Sequence, residues 1–427
     1  MTSYVQVFMT SETALENKVK KKLWHFPWGY RESFLVAFEI LLFGMIIEVI
    51  NRGHGISKLV FPVNIFIGLA LIAAVLITGT QFKRQAVVRW LSSVPAAVSS
   101  ISLFAFLVLL QGFIPQNQSS KPDILTLLGL DHVKNSWVFA ISGIYLLTAL
   151  GLVIIRKSIP FRKINLPFLL NHLGLWIAVA AGSLGSGDLL SLSIYLQEGD
   201  PLTCFAYDRE NNAHTLPFSI KLTSFDINYF PPDLVLLNAE TGTIINGDKQ
   251  PLTEVEVGKE FWYKDWQIRI EDFLEAVYYM EGNYYEKDTL GSAPAARVSA
   301  INKNTGENIA GWVSCGSDQM AHSFLTLGND CIVAMTIPEP QKYSSQVIIK
   351  KIDGDTDTTR IEVNKPCRLK SWRLYQMSYD EKKGKWSEYS IIEAVKDPWL
   401  PLVYFGIFLM MGGAVYLFWT GRNMNNK

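Results

Sequence analysis

The stretch Trp137-Val-Phe-Ala-Ile-Ser-Gly-Ile-Tyr-Leu-Leu-Thr-Ala-Leu-Gly-Leu-Val-Ile-Ile-Arg-Lys157 decides the fold class. No charge interrupts it between Trp137 and Ile155, and it stops at two adjacent cations. A helix of that length and apolarity crosses the roughly 30 Å hydrocarbon layer of a bilayer. Working outward, comparable runs stand at about 33–50, 60–80, 94–114, 167–185 and 399–419, so six transmembrane helices are predicted. Charged residues make up only 18% of the 427-residue chain, where an ordinary globular protein carries about 25%. The deficit is confined to these runs. The reading is therefore a multi-span α-helical membrane protein. It divides into a tail at 1–31, a five-helix membrane region at 32–187, a β-rich domain at 188–398, and a final helix and tail at 399–427.

Lysine and arginine placement sets the expected orientation. With the N-terminus inside, the inner tails and links carry fourteen Lys/Arg: Lys18, Lys20, Lys21, Lys22 and Arg31, then Lys83, Arg84 and Arg89, then Arg156, Lys157, Arg162 and Lys163, then Arg422 and Lys427. The two short outer loops carry four: Arg52, Lys58, Lys121 and Lys134. That imbalance is the positive-inside signature. It predicts cytoplasmic termini and places 188–398 outside the cytoplasm. Trp24, Phe26 and Trp28 read as an interfacial belt before the first span. The first 31 residues show no early apolar run with a cleavage site, so the first span is expected to act as an uncleaved anchor.

Residues 188–398 read as strand. Apolar and polar residues alternate in Phe218–Phe225, in Trp266–Ile270 and in part of Val347–Ile352. Short turn sequences separate such runs: Glu240-Thr-Gly242, Asn246-Gly247-Asp248, Asn304-Thr-Gly306 and Asp353-Gly354-Asp355. The pattern predicts a β-sandwich or an open barrel. All four cysteines, Cys204, Cys315, Cys331 and Cys367, fall here without a CxxC pair. Up to two disulfides and four buried thiols are both open readings, and the spacing argues against a zinc site.

His172 is the most pointed residue in the chain. It stands in Asn171-His-Leu-Gly-Leu-Trp176, in the first turns of the fifth span. An imidazole at that depth is costly unless it pairs or binds something, and a neutral imidazole nitrogen is a good haem iron ligand. Gly174 and Gly182 leave room for a neighbouring helix or a flat ligand. A plain hydrogen bond to another helix is the competing reading for His172. Glu39, deep in the first span, must face protein or water, in a packed hydrogen-bonded role or a proton relay. Glu48, near the outer boundary, is expected to reach solvent. His54 and His132 share the outer side and could approach each other as a joint metal or haem site. His25 lies at a membrane edge, and His214 and His322 are expected on surfaces or turns. No nucleotide-binding, hydrolase, zinc-protease or CxxCH motif is present, nor a tryptophan-rich haem loop. The net charge of +0 says nothing about nucleic acid, and no strongly basic domain or nucleic-acid motif stands out, so no nucleic-acid partner is expected.

The order of several stretches resembles the ResB (CcsB-like) family of System II cytochrome c biogenesis proteins. Ser99 to Gln116, ending Gly112-Phe-Ile-Pro-Gln116, resembles the family's opening helix, and Trp137 to Lys157 its second. Asn171-His-Leu-Gly-Leu175 resembles the start of the third. Trp372-Arg-Leu-Tyr-Gln-Met-Ser-Tyr379 and Val395-Lys-Asp-Pro-Trp-Leu-Pro401 resemble the end of the outer domain and the lead into the last helix. The resemblance covers about residues 95–420, and the first two spans, with Glu39 and Glu48, lie outside it. It implies a bacterial cytoplasmic-membrane protein that works with a ResC/CcsA-like membrane partner. The pair would carry haem b outward and present it for attachment to the CxxCH cysteines of apocytochrome c, which a thioredoxin-like thiol reductant keeps reduced. His172 would be an axial ligand to the haem iron, and the chain a non-catalytic or co-catalytic subunit of the haem-lyase complex. A scaffold subunit that never ligates haem, a secondary transporter and an envelope enzyme are the rival readings.

Overall fold

A computed structural model describes residues 23–116, 123–245, 253–280 and 283–424. The basic cluster Lys18 to Lys22, Lys121, the Asn246-Gly247-Asp248 turn and Lys427 lie outside the described residues. The chain divides into two compact units: the helices, with residues up to Leu189 and from Asp397, and a β unit, Leu190–Lys396. The boundary falls two residues inside the one read from sequence. Asp188 stays with the helices because it binds them: its carboxylate accepts from the Phe61 backbone N–H (2.8 Å), Asn64 Nδ2 (2.7 Å) and Trp399 Nε1 (2.7 Å).

Six helices are long and apolar enough to cross a membrane. They are α1 (Tyr30–Ile50), α2 (Val63–Gln81), α3 (Val94–Phe113), α4 (Trp137–Ser158), α5 (Leu166–Leu184) and α6 (Leu400–Met424). Their starts follow local chemistry. The Glu32 side chain accepts from the Gly29 N–H at 2.8 Å to open α1, and Ser136 caps α4 through the Phe139 N–H. Proline occupies the first turn of α3 and of α5, where its missing N–H costs nothing. The centre of the bundle is α4: 61% of its apolar window is buried, against 11% for α2 and for α6. It packs on α1, α2, α3 and α5, while α6 lies along α5. Polar side chains link the spans: Ser99 Oγ to Tyr145 Oη (2.9 Å), Trp90 Nε1 to Ser33 Oγ (2.8 Å), and Trp176 Nε1 to the Leu147 carbonyl (2.9 Å).

The β unit contains both architectures that the strand pattern left open. Its largest sheet has eight antiparallel strands in the order Thr356–Glu362, Pro340–Lys351, Ala213–Tyr229, Thr203–Tyr207, Leu190–Gln197, Tyr389–Lys396, Trp372–Tyr379 and Cys367–Leu369. Its two edges come together, so the sheet curls into an open barrel. The inward residues, among them Ile194, Ile220, Ile349, Ile361, Leu374 and Ile392, form one core from this sheet alone. Phe218 and Trp372, four strands apart in the sheet, meet edge-on across it with ring centroids 6.3 Å apart. The second part is a sandwich. A five-stranded sheet built around Trp266–Met280 and Ala293–Asn302 packs on a four-stranded sheet built around Asp233–Asn238 and Cys331–Met335.

Candidate functional site

His172 sits in the second turn of α5, and its Nδ1 lies 2.9 Å from the Phe168 carbonyl one turn back. A carbonyl only accepts, so in the neutral ring Nδ1 carries the proton and donates it. Nε2 therefore keeps its lone pair, and no described residue hydrogen-bonds to it. The imidazole stacks on the Phe168 ring at 3.7 Å between centroids, and Lys157 Nζ lies 5.8 Å from that same ring. His172 thus belongs to the basic end of the bundle. Phe168, His172 and Trp176 stand at successive i, i+4 positions, one stripe of α5.

The two glycines behave differently. A Cβ on Gly174 would come within 2.5 Å of the Gly406 carbonyl oxygen and the Met410 nitrogen, so its space is filled by the α6 backbone. One on Gly406 would meet Ala178 and Gly174 at 2.7 Å, and one on Gly413 would meet Asn171 at 2.5 Å. These positions form a small-residue seam in which two backbones touch. Asn171 Nδ2 donates across it to the Met410 carbonyl at 3.3 Å. Gly182 has open space beyond it. The helix reading holds for Gly174, and Gly182 is the glycine left open.

The residues fit one half of a haem site. Nδ1–H held by a backbone carbonyl is the support that iron- and zinc-ligating histidines use to aim the opposite nitrogen. Phe168 and Trp176 supply apolar ring surface on either side along the helix. Among the described residues, no group of three or more His, Cys, Asp or Glu is placed to hold a metal ion, and His172 offers one ring nitrogen as a candidate ligand.

A second polar constellation lies at the other end of the spans. Glu48, in the last turn of α1, is fully buried. Its carboxylate accepts from the backbone N–H groups of Gly55 (2.7 Å) and Trp137 (2.9 Å), and His132 Nε2 lies 3.1 Å away. His132 Nδ1 lies 2.6 Å from Asp131, whose other oxygen accepts from Thr126 Oγ1 at 2.6 Å. The expectation that Glu48 reaches solvent is thus corrected: the 123–136 segment folds over it, with Gly129 and His132 against its side chain, and the Gly55 and Trp137 N–H groups supply the donors that water would have supplied. Both nitrogens of His132 are engaged, and His54 is exposed with Nδ1 2.7 Å from its own Asn51 carbonyl. The joint His54–His132 metal site does not form. Among the described residues Glu39 has no packed, hydrogen-bonded role. It lies on the exposed face of α1 with Phe38, Leu42 and Phe43, and no described residue pairs with it.

In the β unit the four cysteines are free. Burial pushes the Cys315 and Cys331 thiols up to about 11, and raises Cys367. Thiols held neutral in a core are poor nucleophiles. His214 lies 3.0 Å from Asp208 and, with Asn212, holds that carboxyl well below the usual carboxylate range. His322 is exposed in a turn region. Neither histidine is joined by a cluster that could act chemically. Comparison with known families and with curated proteins found no match to this chain.

Proposed function

We propose that this chain is a haem-handling subunit of a System II cytochrome c biogenesis complex, working beside a ResC/CcsA-like membrane protein. One observation carries the reading: His172 has its Nδ1–H committed to the Phe168 carbonyl and its Nε2 lone pair free, inside a helix apolar enough to span a membrane. When bound, haem b would supply an iron for the His172 nitrogen and vinyl groups that accept the CxxCH thiols of apocytochrome c. His172 would hold the group through Nε2, with Phe168 and Trp176 shielding it from water. Thiol chemistry belongs to a thioredoxin-like reductant, because the buried cysteines of this chain are held protonated. The charge imbalance between the two ends of the bundle favours cytoplasmic termini in the bacterial cytoplasmic membrane and a β unit on the outside, where apocytochrome c would dock.

The test is a visible absorption spectrum of the purified complex for wild type and His172→Ala. The expected result is a Soret band that weakens or shifts on substitution at equal protein yield, with added imidazole restoring it. A haem-loaded complex whose spectrum ignores the substitution leaves this chain a scaffold. A complex that binds no haem in either form removes the transport reading.

A further inference from the structure

At the basic end of the bundle the links between α2 and α3 and between α4 and α5 meet around a cavity of about 320 Å³. Lys83, Arg89 and Arg156 line it together with the hydroxyl of Ser92, and its floor includes Leu152 and Ile155. Arg156 Nη1 donates to the Ser92 carbonyl (3.2 Å) and lies 3.3 Å from Ser92 Oγ, which fixes the guanidinium at the cavity wall. The two links, residues 82–93 and 156–165, contain seven Lys or Arg and not one Asp or Glu. Three cations brought to one cavity with no carboxylate in either link repel each other, and an anion removes that cost.

We propose that this cavity binds the phosphate of an anionic phospholipid. Two features point to a lipid and not to a free phosphate ester, which offers the same anion. The floor is apolar, and a free anion gains nothing from it, whereas a glycerol backbone and the first acyl carbons do. The site also stands where apolar helix faces end: Ile77, Phe82, Ile159 and Phe161 beside it are all exposed, so acyl chains would leave the cavity along membrane-facing surface. Basic pockets between spans are suited to such headgroups, each nearby cation adding about a fivefold gain in binding. The site shares no residue with the His172 stripe, and the proposal stands or falls apart from the haem reading.

The test uses the full chain, purified in detergent and delipidated. Native mass spectrometry then measures retention of phosphatidylglycerol and of phosphatidylcholine with the same acyl chains. Wild type is expected to keep phosphatidylglycerol about tenfold better. Arg156→Gln and Arg89→Gln should each lower that preference about fivefold, Arg156→Lys should keep most of it, and Arg162→Gln, outside the cavity, should change it less than twofold. Equal retention of the two lipids overturns the proposal. So does an equal loss for Arg162→Gln, which would mean a diffuse surface attraction. Inorganic phosphate that displaces the lipid at millimolar concentration would reassign the site to a free phosphate and overturn the lipid assignment. Thermal melts confirm that each variant is folded, as expected for side chains that are exposed.

Discussion

Glu39 and Glu48 share helix α1 and face opposite environments. Glu48 is buried and accepts two backbone N–H groups and the His132 ring. Glu39 points outward at mid-helix among Phe38, Leu42 and Phe43. A carboxylate toward hydrocarbon is expensive, so whatever satisfies Glu39 comes from outside the described residues. The two residues should respond differently to mutation. Glu48→Ala strands two N–H donors and His132, and should cost about 3 kcal/mol or more. Glu39→Gln removes no hydrogen bond or ion pair among the described residues and should change stability by no more than about 0.5 kcal/mol. Thermal unfolding of the purified chain in detergent compares them, and equal melting temperatures would refute the buried role of Glu48. The acid in each case was plain from the sequence; its surroundings were not. Besides the nearby Gly55 N–H, Glu48 is held by His132 and Trp137, more than eighty positions away, and no local pattern announces them.

At the scale of elements, apolar length predicted the six long apolar helices to within a few residues, because the length needed to cross a bilayer is a property of one helix by itself. Which face each helix buries was not legible. Gly174 became a backbone-to-backbone contact only because Gly406 and Gly413 lie opposite on α6. Gly406→Val should therefore force α5 and α6 apart and cost about 1–3 kcal/mol, while Gly182→Ala, with open space around it, should be neutral. Melting of the two variants in detergent checks the pair, and a neutral Gly406→Val would sink the seam. In the β unit, the alternation of Phe218–Phe225 is interrupted by the adjacent polar pair Thr223-Ser224. The strand pairs Leu222 with Val347 and Ser224 with Gln346, so Thr223 is left over as a bulge, and Leu222 and Phe225 both turn inward. A bulge shifts the two-residue period by one, which matches the two adjacent polar residues between Leu222 and Phe225.

For the whole molecule, the β unit is an insertion between two helices that pack on each other. Its first and last strands pair with each other, Leu190 opposite Lys396, so its ends are neighbours. Residues 190–396 expressed alone should fold cooperatively, with β-rich circular dichroism. Their stability should depend on pH in a direction set by the buried thiols. Cys315 and Cys331 have folded pKa values raised to about 11 from an ordinary value near 9. The unfolded chain therefore ionises first, so stability is level below about pH 9 and falls between about pH 9 and 11. Denaturant titrations at pH 7 and pH 10.5 check the sign. A midpoint that holds or rises at pH 10.5 contradicts it. Labelling of the two thiols at pH 8 should be about a hundredfold slower in the native than in the unfolded segment, from the same two-unit difference in thiolate population.

By itself the sequence determined the span count, the charge imbalance between the ends, the strand-rich insert and the singular position of His172. Each is a local quantity: a run length, a count or a period. The tertiary structure decided which nitrogen of His172 is free, because that depends on the Phe168 carbonyl and the stacked ring. It decided that Glu48, His132 and Asp131 form one buried chain, and that Lys83, Arg89 and Arg156 share one cavity. It also made a barrel and a sandwich from one set of strands. Those outcomes rest on contacts between residues far apart in the chain, and only packing selects among the pairings that a sequence permits.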